Sequence, residues 1–288
     1  MKTTPRSLVC IGLVFGSMLL LYRDVLWRLV DAWTNDGNYS HGFLIIPLAA
    51  YLAWERRAEL ASARHQPSAL GLLVVAGSLA VLGIGVLGAE LFLTRISLVG
   101  TLAGTALFIL GWSHLRILAF PLALLLLMIP IPAIIFNQIA FPLQLLASQF
   151  GEGVLTSTQI PVLREGNVLI LANTTLEVAE ACSGIRSLIS LLTLGIVYGY
   201  FTDRRTIVRV VLAASTIPIA IVTNGGRVAG TGIAANYFGP EAAQGFFHEF
   251  SGWIVFIVAF ALLLLVRRLI VLVFPARIGT VAVEAVAA

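Results

Sequence analysis

Cys182, Arg227 and His248 lie far apart in the chain, yet their side chains are of the types that together can transfer an acyl group. Cys182 sits in Glu177-Val178-Ala179-Glu180-Ala181-Cys182-Ser183-Gly184-Ile185-Arg186, directly before an apolar run. A helix beginning there would offer unsatisfied amide N–H groups and a positive partial charge. Both favour thiolate over thiol, and Arg186 one turn further on would reinforce them. Arg227 follows Thr223-Asn224-Gly225-Gly226 at the end of one apolar run, and His248 stands in Gly245-Phe246-Phe247-His248-Glu249-Phe250 ahead of the next. A thiolate can attack a peptide carbonyl, histidine can carry the proton, and arginine can stabilise the developing oxyanion or hold the substrate. This scheme needs no metal ion and no cofactor. Each residue also has an ordinary reading: Cys182 as a small packing residue, Arg227 as a snorkelling cation, His248 as a hydrogen-bonding group inside a bundle. Cys10 starts the first apolar run on the opposite side from Cys182, so it reads as an apolar filler and not as a disulfide partner.

The elements that must position these residues are membrane helices. The chain is 59% hydrophobic and 11% charged over 288 residues, and a soluble domain carries about twice that share of charge. The fold class expected is an all-α polytopic membrane protein with about eight transmembrane helices, each run being long enough for a ~30 Å hydrocarbon core. The runs are Leu8–Leu26, Gly42–Trp54, Ala69–Ala89, Ile96–Trp112, Leu115–Ile135, Ser187–Phe201, Thr206–Thr223 and Gly252–Phe274. Pro121, Pro130 and Pro132 kink or shorten the fifth.

Lys2 and Arg6, Arg56 and Arg57, Arg204 and Arg205, and Arg267 and Arg268 fall on one side of such a bundle, which makes it the cytoplasmic side and puts both termini there. The net charge of +4 therefore reports topology and carries no nucleic-acid meaning. The segment Asn137–Gly184 is expected on the outer face, with Phe141–Phe150 as a helix lying along the interface or a re-entrant element. Thr158–Leu163, Asn167–Leu171 and Thr174–Val178 are β-prone and are broken by Arg164-Glu165-Gly166, which predicts a small hairpin or meander near residues 155–178. The whole of 1–288 reads as a single transmembrane domain with no additional C-terminal soluble domain.

The chain resembles the exosortases, multi-spanning bacterial membrane enzymes related to archaeosortases. The likeness rests on Ala181-Cys182-Ser183-Gly184-Ile185-Arg186, on Asn224-Gly225-Gly226-Arg227, on His248 in its aromatic setting, and on Asn38-Tyr39-Ser40-His41-Gly42-Phe43. The resemblance implies a cysteine protease or transpeptidase in the bacterial inner membrane, with its active site on the periplasmic side. Its substrates would be exported proteins that end in a Pro-Glu-Pro-type sorting signal, a hydrophobic helix and a basic tail, processed in connection with exopolysaccharide production. Cys182 would be the nucleophile, Arg227 its arginine partner and His248 the general base and acid, with Arg186 and Asn224 in support. Arg164, Arg186 and Arg227 are candidates to capture an acidic motif, and His41 to organise the site or bind substrate. Besides the substrate protein, partners would include membrane lipids and a glycan- or lipid-linked acyl acceptor. Two other readings stay open: a transporter or polysaccharide-export component, and a structural scaffold of a secretion complex.

The charge distribution gives a first test. Reporter fusions or cysteine accessibility in intact cells should put both termini and Glu55–Gln66 in the cytoplasm, and Asn137–Gly184 and Asn224–Phe250 outside. A Cys182 accessible only from the cytoplasm would contradict that topology.

Overall fold

The computed structural model describes the backbone of residues 5–178, 184–239 and 246–274. The chain packs as two compact units, Met1–Phe136 and Asn137–Ala288.

In the first unit the opening apolar run does not form one span. Helix α1 (Pro5–Leu21) stops at Tyr22, and α2 (Arg23–Asn35) follows as an amphipathic helix. Val25, Leu29 and Trp33, four residues apart, are buried while Trp27 is exposed. Tyr22 itself is fully buried, and its hydroxyl meets Ser97 Oγ at 3.2 Å and Thr101 Oγ1 at 2.7 Å. A buried hydroxyl needs such partners, and these two fix the break between α1 and α2. Helices α3 (Gly42–Glu55) and α4 (Arg57–Ser62) lead to the antiparallel pair α5 (Leu70–Leu87) and α6 (Leu91–Ile109). These two backbones come close because a Cβ on Gly71 would overlap the Phe108 backbone, and one on Gly104 would lie 2.8 Å from Val75 N. Glu90 caps α6 by accepting the Leu93 N–H at 2.9 Å. Helix α7 (Trp112–Leu124) tightens into a 3-10 turn, Leu125–Met128, and ends before Pro130 and Pro132. Backbone groups freed there find side chains: Trp33 Nε1 donates to Met128 O (2.9 Å) and Ile131 N–H to Tyr39 Oη (3.2 Å).

Helix α8 (Ala133–Ser157) opens the second unit's sequence and runs unbroken for 25 residues through Pro142. Strands β1 (Val162–Glu165), β2 (Val168–Leu171) and β3 (Thr175–Glu177) form an antiparallel meander in chain order. Glu165 pairs with Val168 across a two-residue loop in which Gly166 takes φ 64°, a conformation that favours glycine. Leu169, Leu171 and Val178 pack with Ala147 and Leu155 of α8, and Ser148 Oγ donates to Gly166 O at 2.9 Å. The sheet is thus seated on α8, with Leu169 and Leu171 turned to the helix and burial alternating along the wholly apolar β2.

Three helices complete this unit: α9 (Ile185–Thr202), α10 (Thr206–Phe238) and α11 (Phe246–Val273). Leu191, Leu212, Ile219, Ala259 and Leu263 form their shared core. At one end of this bundle arginines cap helix C-termini, as the helix dipole favours. Arg209 Nε donates to Asp203 O (2.6 Å), Arg267 Nη2 to Thr202 O (3.3 Å) and Arg205 Nη1 to Phe274 O (2.6 Å).

Among the described residues six helices, α5, α6, α8, α9, α10 and most of α11, are long and apolar enough to cross a membrane. The chain is a multi-pass, all-α membrane protein with a small open β-meander, but the expected count of eight is not met. The stretches Gly12–Leu21, Gly42–Glu55 and Trp112–Met128 are apolar but shorter. Helix α8, expected along the interface, is long enough to cross. The seventh run does not end at Thr223: α10 continues to Phe238, and at 1.5 Å per residue it is about 50 Å long. Pro218 lies inside it without breaking it.

Hydrogen bonds from Arg205 hold the Asp203 carboxyl down to about 2. A depressed carboxylate contributes stability that is present above its unfolded value of ~3.9 and is lost as pH falls through the folded one. In detergent, Asp203→Asn should therefore lower the thermal midpoint at neutral pH. Its difference from wild type should shrink as pH drops from ~4 toward about 2.

Candidate functional site

The arginine-capped end of the second unit fixes where the opposite end lies. From Thr202 back to Ile185, from Thr206 on to Arg227, and from Arg267 back to His248, each helix rises ~26–32 Å. That is close to the ~30 Å of a hydrocarbon core. Three helices of matched length therefore carry Gly184, Arg227 and His248 to the same end of the bundle.

At that end α10 presents a polar turn in an otherwise apolar helix. Asn224 is 2% exposed, and its side chain fills the space beside Gly184, where a Cβ would lie 2.8 Å from Asn224 Cγ. Gly184 precedes the first turn of α9 with φ 75°, so it is glycine for two reasons: the left-handed backbone and the approach of Asn224. One turn along α10, Arg227 reaches α11. Its Nε donates to Ser251 Oγ at 3.1 Å, and a Cβ on Gly252 would sit 3.8 Å from its Nη2. Ser251 and Gly252 follow His248 by three and four residues, so position 248 shares their helix face. Cys182 and the side chain of His248 lie outside the described residues. The structure brings together their chain neighbours: Gly184, two residues after Cys182, is held by Asn224, and the face of α11 that carries position 248 is held by Arg227.

Helix α8 and the sheet support this turn from beyond. Phe150 packs on Gly225, Gly151 on Val228 and Leu155 on Gly232, so α8 advances beside the outer half of α10. A small hollow of about 10 Å³, room for roughly one water, is lined by Leu143, Gly184, Leu188, Ala220, Ile221 and Asn224. Its walls are apolar, and Asn224 with the Gly184 backbone supplies the polar groups.

The remaining sequence candidates divide. Arg186 stands exposed in the first turn of α9, and among the described residues no acid pairs with it. Arg164 is tied down: its Nε meets Glu152 Oε2 at 2.7 Å, and Nη1 donates to Gly166 O at 3.2 Å, which braces β1 against α8. His41 belongs to the first unit, where its Nε2 lies 3.1 Å from Leu127 O. A carbonyl only accepts, so Nε2 carries the proton, and Nδ1 is buried without a hydrogen-bond partner among the described residues. Burial pushes this imidazole below its usual range against the opposing pull of the Leu127 carbonyl. Sequence reasoning missed Ser251 and Gly252 as the seat of Arg227. Their i+3 and i+4 spacing from His248 was the available signal. Among the described residues no group of three or more His, Cys, Asp or Glu side chains could hold a metal ion.

A family model described as transmembrane exosortase (Exosortase_EpsH) matches residues 33–265, about four-fifths of the chain. The chain belongs to this family. No curated protein and no solved structure gives a match.

The contact between Gly184 and Asn224 should register in a double-mutant cycle. Gly184→Ala is expected to lower stability by roughly 1–3 kcal/mol, the cost of a left-handed alanine plus the overlap. Adding Asn224→Ala should recover part of the overlap, since it removes Cγ and Nδ2 but keeps the Cβ that lies 2.9 Å from the new methyl, and none of the backbone part; thermal melts in detergent would measure this. Strictly additive losses would mean that the two residues do not meet.

Proposed function

We propose that this exosortase is a membrane cysteine transpeptidase or protease acting on exported proteins at a C-terminal Pro-Glu-Pro-type sorting signal. The observation that carries this reading is the double grip of one α10 turn, with Asn224 on Gly184 and Arg227 on Ser251 and the surface of Gly252. Two residues of chain reach at most ~7 Å between Cα atoms, so the grip on Gly184 supports a role for Cys182 close to the turn. One helical turn separates position 248 from the seat of Arg227. Both distances support a reading in which nucleophile, cation and base act at one point.

In the proposed reaction the Cys182 thiolate attacks the scissile carbonyl and its electron pair moves onto oxygen, where Arg227 stabilises the charge. His248, having taken the thiol proton, gives it to the leaving nitrogen as the C–N bond breaks. The C-terminal helix and basic tail depart with that nitrogen, and the upstream fragment stays on Cys182 as a thioester. Water or an amine, such as one on a glycan- or lipid-linked acceptor, then attacks the thioester, gives a proton back to His248 and releases the thiolate. Arg186, exposed beside the α9 N-terminus, adds positive potential for the thiolate and for an acidic motif. Asn224 holds the turn, while Arg164 is occupied with Glu152 and supports the sheet. His41 is assigned to organising the first unit's end of what we take as one domain.

Topology supports the same reading. If the arginine-capped end faces the cytoplasm, as the bias of basic residues implies, the polar turn faces the periplasm. A substrate with a basic tail inserts with that tail inside, which leaves its motif at the level of Arg227. A transporter would also use polar groups at helix ends, but it has no need for a cation seated one turn from a histidine position and a glycine-gripped cysteine segment.

Purified variants in liposomes test the roles. Cys182→Ala and His248→Ala should abolish precursor cleavage while the protein remains inserted and abundant. Arg227→Lys keeps charge but loses the planar fork, and about a hundredfold fall in kcat with little change in KM is expected for a lost oxyanion donor. Wild-type cleavage by Cys182→Ala would remove the nucleophile assignment.

A further inference from the structure

The β-meander has two edge strands, β1 and β3. In the ladder between β2 and β3, Leu171 N–H donates to Thr174 O (2.8 Å) and Val178 N–H to Asn167 O (2.9 Å), with Leu169 opposite Leu176 between them. Antiparallel pairing alternates, so Thr174, Leu176 and Val178 turn their N–H and C=O groups toward β2. Thr175 and Glu177 turn theirs away. Both residues are exposed, and β3 is the last strand of the sheet. The opposite edge is different: β1 carries Arg164, which is fixed to Glu152 of α8. Thr175-Leu176-Glu177 has no proline, and every residue of β3 pairs in register without a bulge.

We propose that the β3 edge is the substrate's docking strand, where an extended segment of the exported protein adds as a fourth strand. The inference rests on the reading of Cys182 as nucleophile, because Glu177 stands only five residues before it. A peptidase gains rate by holding the scissile carbonyl in a fixed, extended register. Strand addition does this through backbone groups alone, with side chains left to choose the sequence. The sheet is a firm base for it, since Leu169 and Leu171 are buried against α8 and Val178 is 2% exposed. Alternating prolines also fit an added outer strand. Their missing N–H groups fall on the solvent side, while the N–H of the residue between them faces β3.

Proline scanning of the edge distinguishes backbone from side-chain recognition. Thr175→Pro and Glu177→Pro each remove one outward N–H and leave the bonds to β2 in place; Thr175→Ala and Glu177→Ala are the side-chain controls. The probe is a soluble reporter followed by Pro-Glu-Pro, an apolar helix of about 20 residues and an arginine-rich tail. Each proline variant should raise KM roughly three- to tenfold, the worth of one hydrogen bond. Turnover and the rate of Cys182 alkylation by iodoacetamide should stay at wild-type values, and the alanine controls should behave as wild type. Proline variants with unchanged KM would overturn the proposal. If proline slows Cys182 alkylation, the sheet itself has been disturbed. Wild-type enzyme is then assayed with probe peptides in which esters replace successive amides. Losses at every second position support the docking strand, and losses without that alternation overturn it. Cleavage by Cys182→Ala would instead remove the nucleophile reading beneath it.

Discussion

The end of the second unit away from the Asp203 cluster depends on two residues of α10 that would be out of place in an ordinary membrane helix, Asn224 and Arg227. An amide and a guanidinium at the edge of a hydrocarbon core are unfavourable unless each has partners. Here Asn224 packs into the notch left by Gly184, and Arg227 bonds Ser251 across the bare surface of Gly252. The two contacts reach different helices, one the start of α9 and one the first turns of α11. A single helical turn therefore sets the spacing between the chain leading from Cys182 and the helix that bears His248.

The same turn explains the long α10. Gly225 and Gly232 let Phe150 and Leu155 of α8 approach its backbone, and Val228 joins the core beneath the sheet. Packing on α8 stabilises the extra turns beyond membrane thickness, and those turns carry the meander. The arginine cluster at Asp203 performs the complementary task at the other end, where it closes the C-termini of α9 and α11. A bundle held at both ends by polar contacts and filled between them by Leu191, Leu212 and Leu263 can hold its functional end still.

Much of this was legible in the sequence, for identifiable reasons. Apolar runs marked the helices because membrane spans need uninterrupted hydrophobicity, and the β-prone stretches around Gly166 marked the meander: β2 and β3 lie close to their expected bounds, but β1 spans Val162–Glu165 and not Thr158–Leu163, so Arg164 and Glu165 belong to the strand and the turn is Gly166-Asn167. Pro130 and Pro132 marked a true break. Other features depended on distant partners. Tyr22 marks the break in the first run, where its hydroxyl donates to Ser97 and shares a second hydrogen bond with Thr101, 75 and 79 residues away. Asn224-Gly225-Gly226 looked like the end of a helix, as Asn and Gly usually do, but Phe150 packs on Gly225 and the helix continues. Arg164 looked like a free cation because Glu152 lies in the preceding helix. At the site, residue types and helix ends pointed to Cys182, Arg227 and His248, whereas Ser251 and Gly252 drew no notice as a serine and a glycine in an apolar helix.

The central claim is that the Asn224–Arg227 turn gathers a nucleophile segment and a base-bearing helix for acyl transfer. Its most direct test is mass spectrometry of the enzyme quenched in acid during turnover of a sorting-signal precursor. The account expects the upstream fragment of the precursor as a thioester on the peptide that contains Cys182, absent in Cys182→Ala and lost on treatment with hydroxylamine. Cleaved products with no adduct on Cys182, or an adduct on another residue, would contradict it.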